Sequence, residues 1–272
     1  MKYTKMVSRE EANKILINIL ADFDCFCRQK GLHYSLAGGT LIGAFRHKGF
    51  IPWDDDIDVF MPRPDYNQFL KCFDSSNYKL ITSGKHSDWT DAYSILTDKN
   101  TIVYFDDRTY YHGLWLDILP IDGYPGDKIW KKSLKQLYFW RSVGRLKRST
   151  WLDYLSPMRN IMKTCGRLLL KPIPQYFVAK RIESYIKKYP IGTTKELGNN
   201  STYMLLKLKD RIPHHFDNSC MDDYIEVEFE GLKVMAMAGY DKYLTKVFGD
   251  WRQLPPEDQR VTHRYKAYYI DN

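Results

Sequence analysis

The 272-residue sequence has few cysteines and no long apolar run. Its five cysteines are odd in number and lack the paired spacing of a metal site, so we expect neither a disulfide framework nor a zinc centre. The longest apolar runs fall well short of the ~18 residues that a membrane-spanning helix needs. The N-terminal residues lead into a predicted amphipathic helix rather than a signal peptide. We therefore expect a cytoplasmic protein in a reducing compartment.

Acidic residues are scarce in one part of the chain. Residues 126–190 contain 16 Lys and Arg but only 3 Asp and Glu, a net charge of +13, whereas the remainder has a net charge of −5. Such a basic block attracts polyanions, which include nucleic acid, an anionic membrane surface and acidic polymers. We predict a catalytic core over 1–125, a basic helical insertion over 126–200, and a C-terminal hairpin, helix and tail over 201–272 that complete the catalytic domain.

The segment from Gly38 to Val59 is the most informative part of the sequence. Gly38 and Gly39 allow backbone N–H groups to approach an anion closely. A helix that begins at Thr40 would point its positive end at the same anion. Because an aspartate cluster follows directly, the segment predicts a site for phosphate transfer.

The aspartate cluster predicts a site for a divalent cation. Asp56 and Asp58 alternate about Ile57, so on a strand both would project from one face. Asp54 and Asp56 are the alternative pair if the strand begins earlier, but the apolar run after Asp58 favours Asp56 and Asp58. Three adjacent aspartates are more often a solvated loop, and it is the neighbouring glycine turn that favours a metal site. Mg²⁺, or Mn²⁺ in its place, suits such carboxylate ligands.

Hydrophobic periodicity and turn residues predict an α+β fold in which helices flank a mixed β-sheet. The predicted helices cover 8–30, 40–47, 64–73 and 240–248. The predicted strands cover 33–37, 57–61, 78–83, 92–98, 101–105, 114–119, 225–229 and 232–238. The region 128–189 is predicted to be helical, with breaks near Ser156-Pro157 and at Lys171–Pro174.

Within the basic block, residues 158–171 form a basic amphipathic helix. Its apolar face consists of Met158, Ile161, Met162, Cys165, Leu168 and Leu169, and its cationic face of Arg159, Lys163, Arg167 and Lys171. Two interpretations stay open, a helix packed on the domain with a solvated cationic back and a helix docked on the inner face of the cell membrane. A nucleic-acid-binding module is less favoured, because no recognised motif for it is present and the acidic segment would repel a phosphate backbone.

The residues of the glycine turn and of Asp56-x-Asp58 resemble the LicD family of phosphocholine transferases. That family is a branch of the nucleotidyltransferase superfamily, to which fukutin-type ribitol-phosphate transferases are also related. The segment 113–123 is similar to a second LicD motif, and the resemblance implies that its Asp117 is the third carboxylate. Asp122 precedes a glycine and is interpreted as a turn residue. The segment 249–263 resembles the C-terminal signature of the family.

The resemblance implies a nucleotidyltransferase-like fold and a metal-dependent reaction. Phosphocholine would pass from CDP-choline to a hydroxyl of a lipid-linked glycan or teichoic acid precursor, with release of CMP. Asp56, Asp58 and Asp117 would hold the metal and act in catalysis. The implied substrate-binding residues are Gly38, Gly39, Thr40, Arg46, Arg260 and His263. Transfer of ribitol phosphate, glycerol phosphate or a nucleotidyl group would use the same carboxylates and stays open.

Overall fold

A computed structural model describes residues 3–83, 89, 91–105, 112–148, 157–201, 214–260, 262 and 265–271, and it has the predicted α+β architecture. The helices are α1 (Arg9–Lys30), α2 (Gly38–His47), α3 (Arg63–Cys72), α4 (Asp127–Arg148), α5 (Pro157–Leu170), α6 (Gln175–Ile186) and α7 (Tyr240–Phe248). The strands are β1 (Tyr3–Met6), β2 (Ser35–Leu36), β3 (Ile57–Pro62), β4 (Tyr78–Ile81), β5 (Ser94–Asp98), β6 (Thr101–Phe105), β7 (Trp115–Tyr124), β8 (Glu196–Gly198), β9 (His215–Asp217), β10 (Tyr224–Phe229), β11 (Leu232–Met237) and β12 (Tyr265–Ile270).

The central sheet has the strand order β2-β3-β7-β5-β4, and β8 and β9 extend it from the far end of β7. The β3 and β7 strands run parallel, while the other neighbours along this path are antiparallel. A smaller sheet, β1-β12-β6, joins both ends of the described chain, and β10 and β11 form the predicted hairpin. The sheet is therefore mixed, as the sequence predicted.

The α1 helix shows how local sequence sets an element and how the core then holds it. The Ser8 hydroxyl accepts from the Glu11 N–H while the Glu11 carboxylate accepts from the Ser8 N–H, which is the predicted capping box. Gly31 ends the helix in the left-handed conformation with φ of +61°. The apolar side of α1 is buried, and Phe23 packs against Phe69 of α3 with ring centroids 5.3 Å apart. The aromatic contact joins α1 and α3 into one core.

Asp122 is not a turn residue, as the sequence had suggested, but a buried member of β7. Its side chain is 1% exposed and accepts from Arg63 Nε at 2.8 Å and Nη2 at 2.5 Å. In this bidentate ion pair the guanidinium and the carboxylate form two hydrogen bonds with one another, which compensate both buried charges. The local Asp-Gly turn signal is therefore overridden by a partner 59 residues earlier in the chain.

We expect Asp122→Asn to lower the free energy of unfolding by about 3 kcal/mol, because it leaves the buried Arg63 charge uncompensated. Urea denaturation monitored by circular dichroism measures this loss. Glu10→Gln is the control, because Glu10 and Lys14 form an exposed pair at the start of α1 and its loss should leave the unfolding midpoint unchanged. Equal effects of the two substitutions would contradict a structural role for the buried pair.

The α4, α5 and α6 helices lie in the predicted basic insertion. An apolar cluster separate from the main core joins α4 and α6 to the sheet, and Leu170 of α5 packs against it. The cluster consists of Ala92, Tyr124, Trp130, Leu137, Val143, Val178, Ile182 and Ile186. The α5 helix begins at Pro157 and α6 begins directly after Pro174, in agreement with the predicted breaks, while residues 149–156 lie outside the described residues. The predicted boundaries of the insertion stay a prediction.

Candidate active site

Three carboxylates meet where β3 and β7 run side by side. In the parallel register of these strands Asp58 is the direct partner of Asp117, and Asp56 lies one residue before β3. One oxygen from each of the three side chains lies within 4.8 Å of the others. Asp58 and Asp117 are partly exposed, whereas Asp56 is buried. The cluster can therefore be reached from solvent.

A loop holds the remaining aspartates beside this cluster. Residues 51–56 form no regular strand, and Asp54, Asp55 and Asp56 make a second carboxylate group that shares Asp56 with the first. The loop is anchored through its backbone, because Tyr265 donates its hydroxyl to the Asp55 carbonyl at 3.1 Å and Arg9 donates to the Asp54 carbonyl. The backbone carbonyls thus hold the loop in place, while the side chains supply the carboxylate group.

The electrostatics of the cluster favour a cation. Burial, followed by the charges of Asp56, Asp117 and Asp54, raises the pKa of Asp58 well above its ordinary value. Like charges packed this closely disfavour one another's ionised forms, and a divalent cation would relieve the repulsion. Carboxylate oxygens are also the ligand type that Mg²⁺ and Mn²⁺ accept. The residues present therefore fit the predicted metal.

The α2 helix begins directly beside the carboxylates. It starts at Gly38, two residues earlier than predicted, and the Ala37 side chain at its N-cap cannot cap it. Helix geometry leaves the N–H groups of Gly38, Gly39 and Thr40 without intrahelical acceptors. These N–H groups and the helix dipole together make an anion-binding end. An anion bound there would lie next to the carboxylate cluster.

Two further details explain why small residues occupy the start of α2. Gly38 has φ of +50°, and a Cβ added to Gly39 would collide with the Asp54 carboxylate. A side chain at either position would therefore strain the turn or displace an aspartate. The Thr40 hydroxyl accepts from the Asp58 N–H at 3.0 Å, so Thr40 fixes the strand that carries Asp58. Its predicted contact with a phosphate stays a prediction.

Two aromatic residues at the site were not predicted from the sequence. Trp115 donates its indole N–H to Asp117 Oδ2 at 3.1 Å and so orients that carboxylate from the same face of β7. The hydroxyl of Tyr243, buried in α7, faces the Gly38 N–H without forming a well-aligned hydrogen bond. The i, i+2 spacing of Trp115 and Asp117 places both side chains on one face of a strand, and this signal could have identified Trp115. Nothing local in the sequence connects Tyr243 with Gly38.

Comparison with known proteins identifies the family. Residues 31–155 match the family described as LicD/FKTN/FKRP, nucleotidyltransferase domain. The chain is 30% identical over 274 residues to the lipopolysaccharide cholinephosphotransferase LicD of Haemophilus influenzae, an alignment that covers 98% of this chain and 99% of that protein. The chain belongs to the LicD family of transferases. An uncharacterised protein of Rickettsia typhi is 32% identical over 68 residues, which cover 24% of this chain and 22% of that protein.

The C-terminal segment that resembles the LicD signature packs against the last turn of α2. Arg46, in the last turn of α2, donates through Nη1 to the Trp251 carbonyl at 2.7 Å and the Gln253 carbonyl at 3.0 Å. Eight residues of helix separate Arg46 from Gly38, about 12 Å along the axis. The structure thus does not bring the Arg46 backbone to the anion-binding end, and the guanidinium anchors the C-terminal segment. Its predicted phosphate contact stays a prediction.

Arg260 and His263 are the remaining LicD-like residues predicted to bind substrate. The Arg260 guanidinium lies over the ring of Trp53, 4.6 Å from the centroid, and donates through Nε to the Pro255 carbonyl at 3.2 Å. Because Trp53 lies in the loop 51–56, directly before Asp54, Arg260 is held beside that loop. His263 lies outside the described residues.

Proposed function

We propose that the protein transfers phosphocholine from CDP-choline to a hydroxyl group of a cell-surface glycan or teichoic acid precursor and releases CMP. The observation that carries the transfer chemistry is the meeting of three carboxylates beside the uncapped start of α2. The name of the Haemophilus influenzae relative supports choline phosphate as the transferred group and a glycan as the acceptor. The relative thus supports the substrate class, and the geometry of the carboxylates and of the start of α2 supports the transfer chemistry.

In this proposal the three carboxylates and the start of α2 have different roles. Asp56, Asp58 and Asp117 would hold Mg²⁺ or Mn²⁺, which when bound neutralises charge on the donor diphosphate. The N–H groups at the start of α2 would bind the donor phosphate oxygens. Asp117 would orient the acceptor hydroxyl and take its proton as the hydroxyl oxygen attacks the phosphorus that bears choline. The bond from that phosphorus to the CMP oxygen breaks, and CMP leaves.

The proposed place of the reaction is the inner face of the cell membrane, where a lipid-linked acceptor would be presented. Across the described part of the chain, each helix is too short or too polar to cross a bilayer.

A donor screen tests the transferred group. With water in place of the acceptor hydroxyl, we expect purified protein with Mg²⁺ to release CMP from CDP-choline at least about tenfold faster than from CDP-ribitol or CDP-glycerol, because binding differences of about 1.4 kcal/mol give a factor of ten. Chromatography of the nucleotide products measures the rates. Asp58→Asn run in parallel reports any contaminating hydrolase.

The other outcomes of the screen separate the remaining possibilities. Faster turnover of CDP-ribitol or CDP-glycerol would contradict choline as the transferred alcohol, but it would agree with the proposed carboxylate site. Release of pyrophosphate from nucleoside triphosphates would instead favour nucleotidyl transfer by the same carboxylates.

A further inference from the structure

The α5 helix presents an apolar stripe to solvent. The stripe consists of five residues that are between 65% and 80% exposed: Met158, Ile161, Met162, Leu168 and Leu169. With the exposed Cys165 between them, they recur at three- and four-residue intervals. Side chains with this spacing lie on one face of a helix. A contiguous exposed apolar face of this kind typically marks an interaction surface.

The side of α5 that packs on the rest of the helical lobe, which is formed by α4, α5 and α6, is a different one. Gly166 lies against Leu146 of α4, where an added Cβ would come within 2.8 Å of Leu146 Cδ2. Leu170 and the following Ile173 pack against the apolar cluster of the lobe. The contact is made through a glycine and the C-terminal end of the helix. The stripe is therefore not the face that holds α5 in the fold.

Cations lie beside the stripe. The sequence of α5 contains no acidic residue, and Arg167 and the adjoining Lys171 are exposed. These two cations, with Thr164 and Leu168, line a shallow cavity of about 310 Å³. The cavity thus combines two positive charges, a hydroxyl and one residue of the apolar stripe. This combination suits a phosphate group that is attached to an apolar chain.

We propose that α5 docks on an anionic membrane surface, with the stripe in the lipid interface and Arg167 and Lys171 on head-group phosphates. An interfacial helix lies in the plane of the bilayer with its apolar side buried and its cations at head-group level. A second copy of the chain fits less well, because two regions of net charge +13 would face one another. The proposal deepens the membrane placement proposed above, since it names the docking surface.

Vesicle co-sedimentation of the full-length protein tests the docking surface. We expect binding to phosphatidylcholine vesicles that contain roughly 30% phosphatidylglycerol, little binding to pure phosphatidylcholine, and release in about 0.5 M NaCl. The combined variant Arg167→Gln/Lys171→Gln should bind about 20-fold to 30-fold more weakly, since each surface cation contributes about fivefold. The combined variant Ile161→Ser/Leu168→Ser/Leu169→Ser should lose binding to the anionic vesicles.

Matched variants elsewhere on the surface serve as controls. Lys30→Gln/Lys71→Gln removes two exposed cations, and Met6→Ser/Ile225→Ser removes two exposed apolar side chains, both outside the lobe. These controls should retain vesicle binding and the thermal unfolding midpoint of the parent. Because neither donor nor acceptor is present, failure of this test would leave the proposed transfer reaction untouched.

Four results would overturn the docking surface. The first is that the parent protein does not bind anionic vesicles, and the second is that the stripe variant binds them as well as the parent does. The third is that the stripe variant has a lowered unfolding midpoint. The fourth is that the parent is a dimer that binds no vesicles and the stripe variant is a monomer. The third would show that the stripe is packed inside the protein, and the fourth that a second copy covers it.

Discussion

Asp58→Asn and Asp117→Asn are each expected to fold normally and to lose phosphocholine transfer by about 10³-fold. Asparagine keeps the shape of the side chain but removes the charge that a divalent cation and the developing phosphate charge require. In the parallel register of β3 and β7 these two residues are direct neighbours, so neither can be replaced by a nearby carboxylate without a shift of the strand. Release of CMP from CDP-choline at saturating Mg²⁺ measures the loss.

The stability of the same variants separates a functional carboxylate from a structural one. Burial, followed by the neighbouring like charges, raises the pKa of Asp58, so Asp58→Asn should not lower the unfolding midpoint of the metal-free protein. Asp122→Asn, the same chemical change in a buried ion pair, should lower it. Asp74→Asn, at an exposed position after α3, should change neither activity nor stability. Near-native transfer by Asp58→Asn or Asp117→Asn would remove that residue from the proposed site.

Elements with local signals were predictable from the sequence. The α1 helix has a capping box at Ser8 and a glycine stop at Gly31, and α7 occupies the predicted residues because Gly249 ends it. The β10–β11 hairpin follows from Glu230 and Gly231, which both adopt positive φ at its turn. Each of these signals lies within a few residues of the structure that it determines.

Elements fixed by distant partners were not predictable in the same way. The β1 strand pairs with β12 from the opposite end of the sequence, and β8 extends the sheet only through Asp122–Tyr124 of the long β7 strand. Neither pairing leaves a local pattern, and β8 and β9 have three residues each. Short strands with one edge partner are specified by the sheet rather than by their own periodicity.

The residues of the candidate site also fall into these two groups, those with a local sequence signal and those positioned by distant packing. Asp56 and Asp58 are close in sequence, so their alternation together with the neighbouring glycine turn predicted a shared cation. Asp117 joins them through strand register across 59 residues, and resemblance to a family rather than residue spacing supplied it. Arg46 was predicted to bind phosphate, and its position in a basic segment did not indicate that it donates to the backbone carbonyl of Trp251. Non-local packing decides which charged side chains face the site.

Removal of divalent metal is expected to abolish transfer and to make the stability of the protein depend on pH. Treatment with EDTA should reduce transfer by at least about 10³-fold, and Mg²⁺ or Mn²⁺ should restore it. In the metal-free protein the folded state keeps the Asp58 proton at pH values where the unfolded chain, with an ordinary pKa of 3.8, has released it. The free energy of unfolding should therefore fall as pH rises from about 3.8 through the raised pKa of the folded state.

The binding of metal itself provides a readout that does not depend on turnover. At a Mg²⁺ concentration of about 100 times the dissociation constant, the free energy of unfolding should rise by about 2.7 kcal/mol, because the ion binds the folded state alone. Asp58→Asn should lose both this stabilisation and the fall in stability with pH, since it removes the titrating group and one ligand. Asp74→Asn should keep both. Full activity in EDTA would contradict metal dependence. Equal Mg²⁺ stabilisation of the parent and Asp58→Asn would place the metal elsewhere, because burial and the surrounding negative charge make Asp58 hard to ionise, and that same negative charge should attract the cation.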